Sequence, residues 1–109
     1  MESSALASEL VVAAIDFLDP LRAGTGVDED ALGKLCEMLR LCAQEWRDAD
    51  VIPREAANLF VDLVPGIHAT LWLYQDTGER NSITQAADTI QNLVRACVSL
   101  ESTSPEIGS

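Results

Sequence analysis

Apolar residues recur with helical spacing in two long stretches of this sequence. One series runs from Leu32 to Trp46, and the other runs from Ile83 to Cys97. Within each series the apolar residues follow the i, i+3, i+4, i+7 pattern, which places them on one face of an α-helix. No segment of useful length shows the two-residue period of a strand. The spacing therefore predicts amphipathic helices that pack against one another.

Capping residues and prolines divide the chain into four main helices. The first is expected to span about residues 4–18, with Pro20 ending it or followed by a short extension. Asp28 is the expected N-cap of the second helix, and Pro53 fits the first turn of the third. Ser82, with Gln85 three residues later, matches a capping box that would begin the last helix.

The third helix contains a second proline, Pro65, followed by Gly66. Proline removes a backbone hydrogen bond and clashes with the preceding turn, so we expect a break or kink there and a restart over residues 67–74. Gly78 is the expected C′ residue of that restarted helix. The sequence thus predicts an all-α, single-domain bundle of four main helices, mostly antiparallel. The bundle would occupy residues 1–100, and a disordered tail would occupy residues 101–109.

The chain carries a formal net charge of −11 at pH 7. Residues 1–30 hold seven carboxylates and one arginine. Such a charge repels phosphate backbones, and the seven Lys and Arg residues are scattered, so no nucleic-acid partner is expected. This concentration of acidic residues has two interpretations. One is helix-end chemistry plus a solvated face, and the other is an acidic docking surface for a basic protein, built from the first helix and the following loop with Asp28, Glu29 and Asp30.

The cysteine content and the lengths of the apolar runs indicate the cellular compartment in which the protein is expected. The three cysteines lie on or beside apolar stripes, at Cys36, Cys42 and Cys97. An odd number of buried cysteines is typical of reduced thiols, so a cytoplasmic protein is expected. The N-terminal residues lack the basic region of a signal peptide, and no apolar run approaches the roughly 18–20 residues of a membrane span. We therefore expect no membrane partner.

Catalytic and metal-binding patterns are not found. The only histidine is His68, and no two cysteines have the spacing of a zinc motif. The sequence therefore predicts no metal, no cofactor and no enzymatic activity. One alternative stays open, because histidine phosphotransfer domains are also small acidic helical bundles with one exposed histidine. The segment around His68 faintly resembles that family, but the family's lysine and glycine positions are Leu71 and Trp72 here.

Four of the five aromatic residues cluster in the middle of the chain, at Trp46, Phe60, Trp72 and Tyr74. Core packing is the simplest interpretation. Alternatively, some of these residues form an anchor patch for a partner, because Trp and Tyr are common in binding hot spots. Leu41, which lies off its helical stripe, is an expected exposed apolar residue. Surplus apolar residues of this kind also favour a homodimer.

These observations predict a non-enzymatic, acidic protein–protein interaction module that docks a basic partner. Small inhibitors, immunity-type proteins and accessory subunits have this profile. The expected partner-binding residues are Asp28, Glu29, Asp30, Leu41, Trp72 and Tyr74. A second interpretation is a helical bundle that binds a small apolar ligand between its helices. The expected pocket residues are then Trp46, Phe60 and Trp72.

Overall fold

The computed structural model describes residues 2–47 and 52–98. These residues form four α-helices and a short 3₁₀ turn, with no strand among them. In chain order the elements are α1 (Glu2–Arg22), α2 (Glu29–Glu45), α3 (Arg54–Ala69), the 3₁₀ turn η1 (Leu71–Leu73) and α4 (Thr77–Val98). The predicted all-α four-helix bundle is confirmed. The predicted tail, residues 101–109, lies outside the described residues.

The helices pack as a closed ring in which each helix has two main neighbours. α1 packs against α2 and α3, and α4 packs against the same two helices. The α1–α2 edge therefore lies opposite the α3–α4 edge. The core between them is built from the apolar stripes, and its largest fully buried side chains are Leu10, Phe17, Leu21, Leu35, Leu39, Leu63, Ile67, Ile83 and Ile90.

The first helix runs through Pro20 to Arg22, in agreement with the predicted alternative of a short extension beyond the proline. Proline near a helix end costs one backbone hydrogen bond, but its fixed φ is compatible with the helix. Leu21 is fully buried in the core. Its burial stabilises the last turn of α1 and offsets the lost hydrogen bond.

The third helix is kinked near Pro65, as predicted, with a bend of 22°. It does not break and restart, however, because α3 continues to Ala69. Ile67 lies inside α3 and is fully buried, which holds the turn after the proline against the core. Beyond Thr70 only the short 3₁₀ turn η1 follows.

The predicted start of the last helix at Ser82 is wrong. α4 begins at Thr77, so Gly78 and Ser82 both lie inside it. The cap is Asp76, whose Oδ2 accepts a hydrogen bond of 2.9 Å from the backbone N–H of Glu79. The second helix begins as predicted, since Asp28 Oδ1 accepts a bond of 3.1 Å from the N–H of Ala31.

Candidate functional site

A continuous groove runs along the surface between α1 and α2. It consists of two adjoining depressions of about 290 and 390 Å³, which share Ala13, Asp16 and Lys34. One end is apolar, with Val12 and Met38, and the other end is acidic. Four carboxylates line the groove: Glu9, Asp16, Asp28 and Asp30. We call this surface, with these carboxylates, Val12, Ala13, Lys34 and Met38, the acidic groove.

Local structure explains why carboxylates from two helices face one groove. Asp28 caps α2, so its side chain is held at the first turn, and Asp30 follows within that turn. The partial positive charge at the helix N-terminus stabilises both. Glu9 and Asp16 lie two turns apart on α1, facing α2. Lys34 is the one cation among the lining residues, so the acidic groove keeps a negative charge.

The exposed apolar side chain in the acidic groove is Val12. Its side chain is 58% exposed, whereas Ala13 beside it is buried. Glu9 and Asp16 line the same depression as the exposed Val12, so the groove has an apolar contact point beside charged residues, as in protein interfaces. Sequence analysis placed the acidic residues of the first helix, including Asp16, in a candidate docking surface, but it did not identify Val12. The only signal for Val12 was that the apolar residues of the first helix cover more than one stripe.

The structure does not bring the six predicted partner-binding residues together. Asp28 and Asp30 line the acidic groove, whereas Glu29 lines a separate polar depression near Glu79. Leu41 is exposed on α2 and Trp72 is exposed on η1, and neither contributes to the acidic groove.

Tyr74 is not available as a surface contact, because only 6% of it is exposed. Its hydroxyl donates to the carbonyl of Leu21 and accepts from the N–H of Gly26, both at 2.9 Å. Gly26 has φ of 94°, a left-handed conformation that favours glycine. Tyr74 therefore ties the α1–α2 loop to the segment before α4, and its role is structural.

The three aromatic residues that were predicted to line a ligand pocket differ in their exposure to solvent. Trp46 is buried, Phe60 is half-buried and Trp72 is 78% exposed. An indole exposed to that degree does not line an enclosed cavity. Trp46 Nε1 is buried without a hydrogen-bond partner. The three residues therefore do not form the enclosed pocket that the apolar-ligand interpretation requires.

The three cysteines are buried free thiols. Burial, together with nearby Glu45 and Glu9, raises the pKa of Cys42 to about 11. Burial and the neighbouring Cys42 raise the pKa of Cys97 to about 12, and its Sγ donates to the Leu39 carbonyl at 3.3 Å. Thiols of this kind are poor nucleophiles at neutral pH.

His68 lies in the last turn of α3 and is exposed. No group of three or more metal-ligating side chains occurs in residues 2–47 and 52–98. The residue three positions after His68 is Leu71, which cannot neutralise a phosphate. Arg80, the cation beside η1, donates instead to the carbonyls of Leu71 and Tyr74, at 2.7 and 2.9 Å.

One described stretch, Arg54–Leu73, is long and apolar enough to cross a membrane by length and composition alone. A core helix of a soluble protein passes the same test, but such a helix is mostly buried. Here only 22% of the apolar window is buried, although α3 places Ala56, Leu63 and Ile67 in the core. The outward face of α3 and η1 therefore exposes apolar side chains such as Val61 and Trp72 among polar and charged ones.

No protein-family model, curated protein or solved structure matches this chain.

Proposed function

We propose that this protein is a non-enzymatic interaction module that docks a basic partner protein in the acidic groove. The observation that carries the proposal is the combination of four carboxylates and an exposed Val12 in one groove between two helices. Carboxylates at the rim attract and orient a basic partner. The apolar end supplies contact area that is removed from water on binding.

The partner that fits this surface is a segment with both cations and an apolar side chain. An amphipathic basic helix meets that requirement, because residues three and four positions apart share one of its faces. Its apolar side chain would contact Val12 and Met38, and its cations would lie near Asp16 and Asp30. We place the protein in the cytoplasm, a compartment consistent with three buried free thiols. Inhibitor, immunity-type and accessory-subunit roles all use this kind of docking.

Differential capture tests this proposal. The wild-type protein and two variants are immobilised, lysate is applied, and bound proteins are eluted with a salt gradient and identified. Asp16→Lys/Asp30→Lys reverses the charge of the acidic groove without touching the α2 cap. Asp62→Lys/Asp88→Lys is the matched control, because it makes the same change in net charge at two exposed carboxylates on α3 and α4, outside the acidic groove.

The proposal predicts a basic protein that is retained by the wild type and by Asp62→Lys/Asp88→Lys, and lost from Asp16→Lys/Asp30→Lys. Its elution should require only moderate salt, since exposed charges are screened over about 8 Å at physiological ionic strength. Equal loss from both variants would show that only net charge matters. A partner retained equally by all three proteins would show that the groove is not used.

A further inference from the structure

The single positive charge of the acidic groove belongs to Lys34. Lys34 is also the only lysine in the sequence, since the other six of its seven Lys and Arg residues are arginines. Its side chain is exposed and lines both depressions of the groove, whereas no arginine lines either of them. One ammonium group therefore lies where the apolar end of the groove joins the acidic end.

The carboxylates expected to bind a partner's cations are neighbours of this ammonium group. Asp30 precedes Lys34 by one turn of α2, and an acid followed by a lysine four residues later is a favourable pair on a helix. Asp16 of α1 lines the same two depressions as Lys34. Lysine carries a compact charge on a flexible stem of four carbons. Lys34 and a cation of the partner therefore approach the same carboxylates.

We propose that Lys34 is an internal competitor of the partner's cations, and that acylation of its Nζ raises the affinity of the acidic groove. This inference rests on the proposed function. The Lys34 ammonium repels a partner's cation near Asp16 and Asp30 and attracts the carboxylates that the cation would contact. The four carboxylates and one ammonium that line the groove give a net charge of −3, which becomes −4 when Lys34 is neutral.

Acylation removes this charge in one balanced step. The ammonium first loses a proton, and the free amine attacks the carbonyl carbon of an activated acyl donor, such as a thioester or an acyl phosphate. A C–N bond forms, the bond from the carbonyl carbon to the leaving group breaks, and the second proton passes to the leaving group or to solvent. The amide product is neutral. Because Lys34 is exposed, an acyl donor reaches it without unfolding of the bundle.

A purely structural role for Lys34 leads to a different expectation. If its charge only relieved repulsion among the carboxylates of α1 and α2, removing it would lower the stability of the bundle and would not tighten docking. If Lys34 instead paired with a carboxylate of the partner, removing it would weaken docking. Competition alone predicts tighter docking by a folded variant.

Peptide titration of matched variants tests the competition. The probe is a basic amphipathic peptide of about 18 residues, with leucines on one face and lysines beside them. Lys34→Met should raise the affinity by about fivefold, the upper worth of one exposed ion pair. Arg40→Met removes the same charge from an exposed position on α2 that lines neither depression. This control should change the affinity by less than about twofold, and circular dichroism establishes that both variants are folded.

Chemical acetylation tests the modification itself. Because the chain has one lysine, an N-hydroxysuccinimide ester of acetic acid modifies only Lys34 and the terminal amine of the wild type. In Lys34→Arg the same treatment modifies the terminal amine alone, and mass spectrometry counts the acetyl groups. Treatment should raise the affinity of the wild type for the peptide by about fivefold and that of Lys34→Arg by less than about twofold.

The proposal is overturned if Lys34→Met binds no more tightly than the wild type, if Arg40→Met has an equal effect, or if acetylation raises both affinities equally. Asp16→Lys/Asp30→Lys separates this proposal from the proposed function. Undiminished peptide binding by that double variant would refute docking in the acidic groove, and the role of Lys34 with it. Lost binding there, with no gain in Lys34→Met, would refute the role of Lys34 alone.

Discussion

Replacing Tyr74 with phenylalanine tests the hydrogen bonds that join the α1–α2 loop to the rest of the bundle. The ring stays buried in Tyr74→Phe, but the hydroxyl is lost. The N–H of Gly26 then has no partner, because the hydroxyl was its acceptor at 2.9 Å. The carbonyl of Leu21 keeps one bond, from the N–H of Gly24 at 3.1 Å.

These bonds set the size of the expected loss. The buried N–H of Gly26, left without an acceptor, lowers the free energy of unfolding by about 1–3 kcal/mol. The lost hydrogen bond to the Leu21 carbonyl, which keeps another donor, lowers it by a further amount of about 0.5–1.5 kcal/mol. The phenyl ring regains part of this because it is more apolar than the phenol. We therefore expect the free energy of unfolding to fall by about 2 kcal/mol, which is a large fraction of the roughly 5–15 kcal/mol typical of a domain.

Urea unfolding followed by circular dichroism measures this loss. With an m value of about 2 kcal/mol/M, the midpoint should fall by about 1 M. Thr25→Ala is the matched control, because Thr25 lies in the same loop and donates one exposed bond of 2.9 Å to the carbonyl of Pro20. That variant should change stability by less than about 1 kcal/mol. If Tyr74→Phe unfolds at the wild-type midpoint, the loop does not depend on the hydroxyl and the reasoning fails.

Three further predictions follow from the same structure. The pKa values of Cys42 and Cys97 are raised from 9.0 to about 11 and 12 in the folded state. The stability that the two protonated thiols contribute is therefore complete below about pH 9 and is lost as the pH rises toward 11–12. Urea midpoints measured from neutral pH to pH 10.5 should fall in the wild type and should fall less in a variant with alanine at both positions. Asp76→Ala removes the α4 cap and should cost about 1 kcal/mol, whereas Ser82→Ala should cost less than about 0.5 kcal/mol, and thermal melts showing the reverse order would place the helix start at Ser82. Asp28→Asn keeps a capping side chain but removes one negative charge from the acidic groove, so it should leave the melting temperature unchanged and lower the affinity for the captured partner in a titration. An unchanged affinity would show that Asp28 does not belong to the docking surface.

The fold could be predicted from the sequence because its main signals are local. Apolar spacing defines the buried faces of α2 and α4, and Asp28 directly precedes the apolar stripe that it caps. The start of α4 was misassigned because two capping patterns compete there. Asp76 and Glu79 have the same spacing as Ser82 and Gln85, and Gly78 between them favoured a helix end. In the structure the earlier pair begins the helix, since Asp76 accepts a hydrogen bond from the backbone N–H of Glu79.

The site could be predicted only in part, because it depends on which helices are neighbours. The acidity of residues 1–30 indicated a candidate docking surface that includes Asp16, Asp28 and Asp30, but Val12 joins these carboxylates only through the packing of α1 on α2. Tyr74 was misassigned to the surface for a geometric reason. The 3₁₀ turn before it winds more tightly than an α-helix, and Tyr74 itself is extended, with φ of −118° and ψ of 131°. Its ring therefore packs inward.

Chemical-shift mapping on the isotope-labelled protein tests the central claim, docking in the acidic groove, most directly. The probe is a basic amphipathic peptide of about 18 residues, with leucines on one face and lysines flanking them. Docking in the acidic groove predicts that the largest shifts fall on residues 8–16 and 28–38, and that they shrink in Asp16→Lys/Asp30→Lys and at high salt. Shifts spread evenly over the acidic surface, or centred on α3 and η1, would contradict the claim.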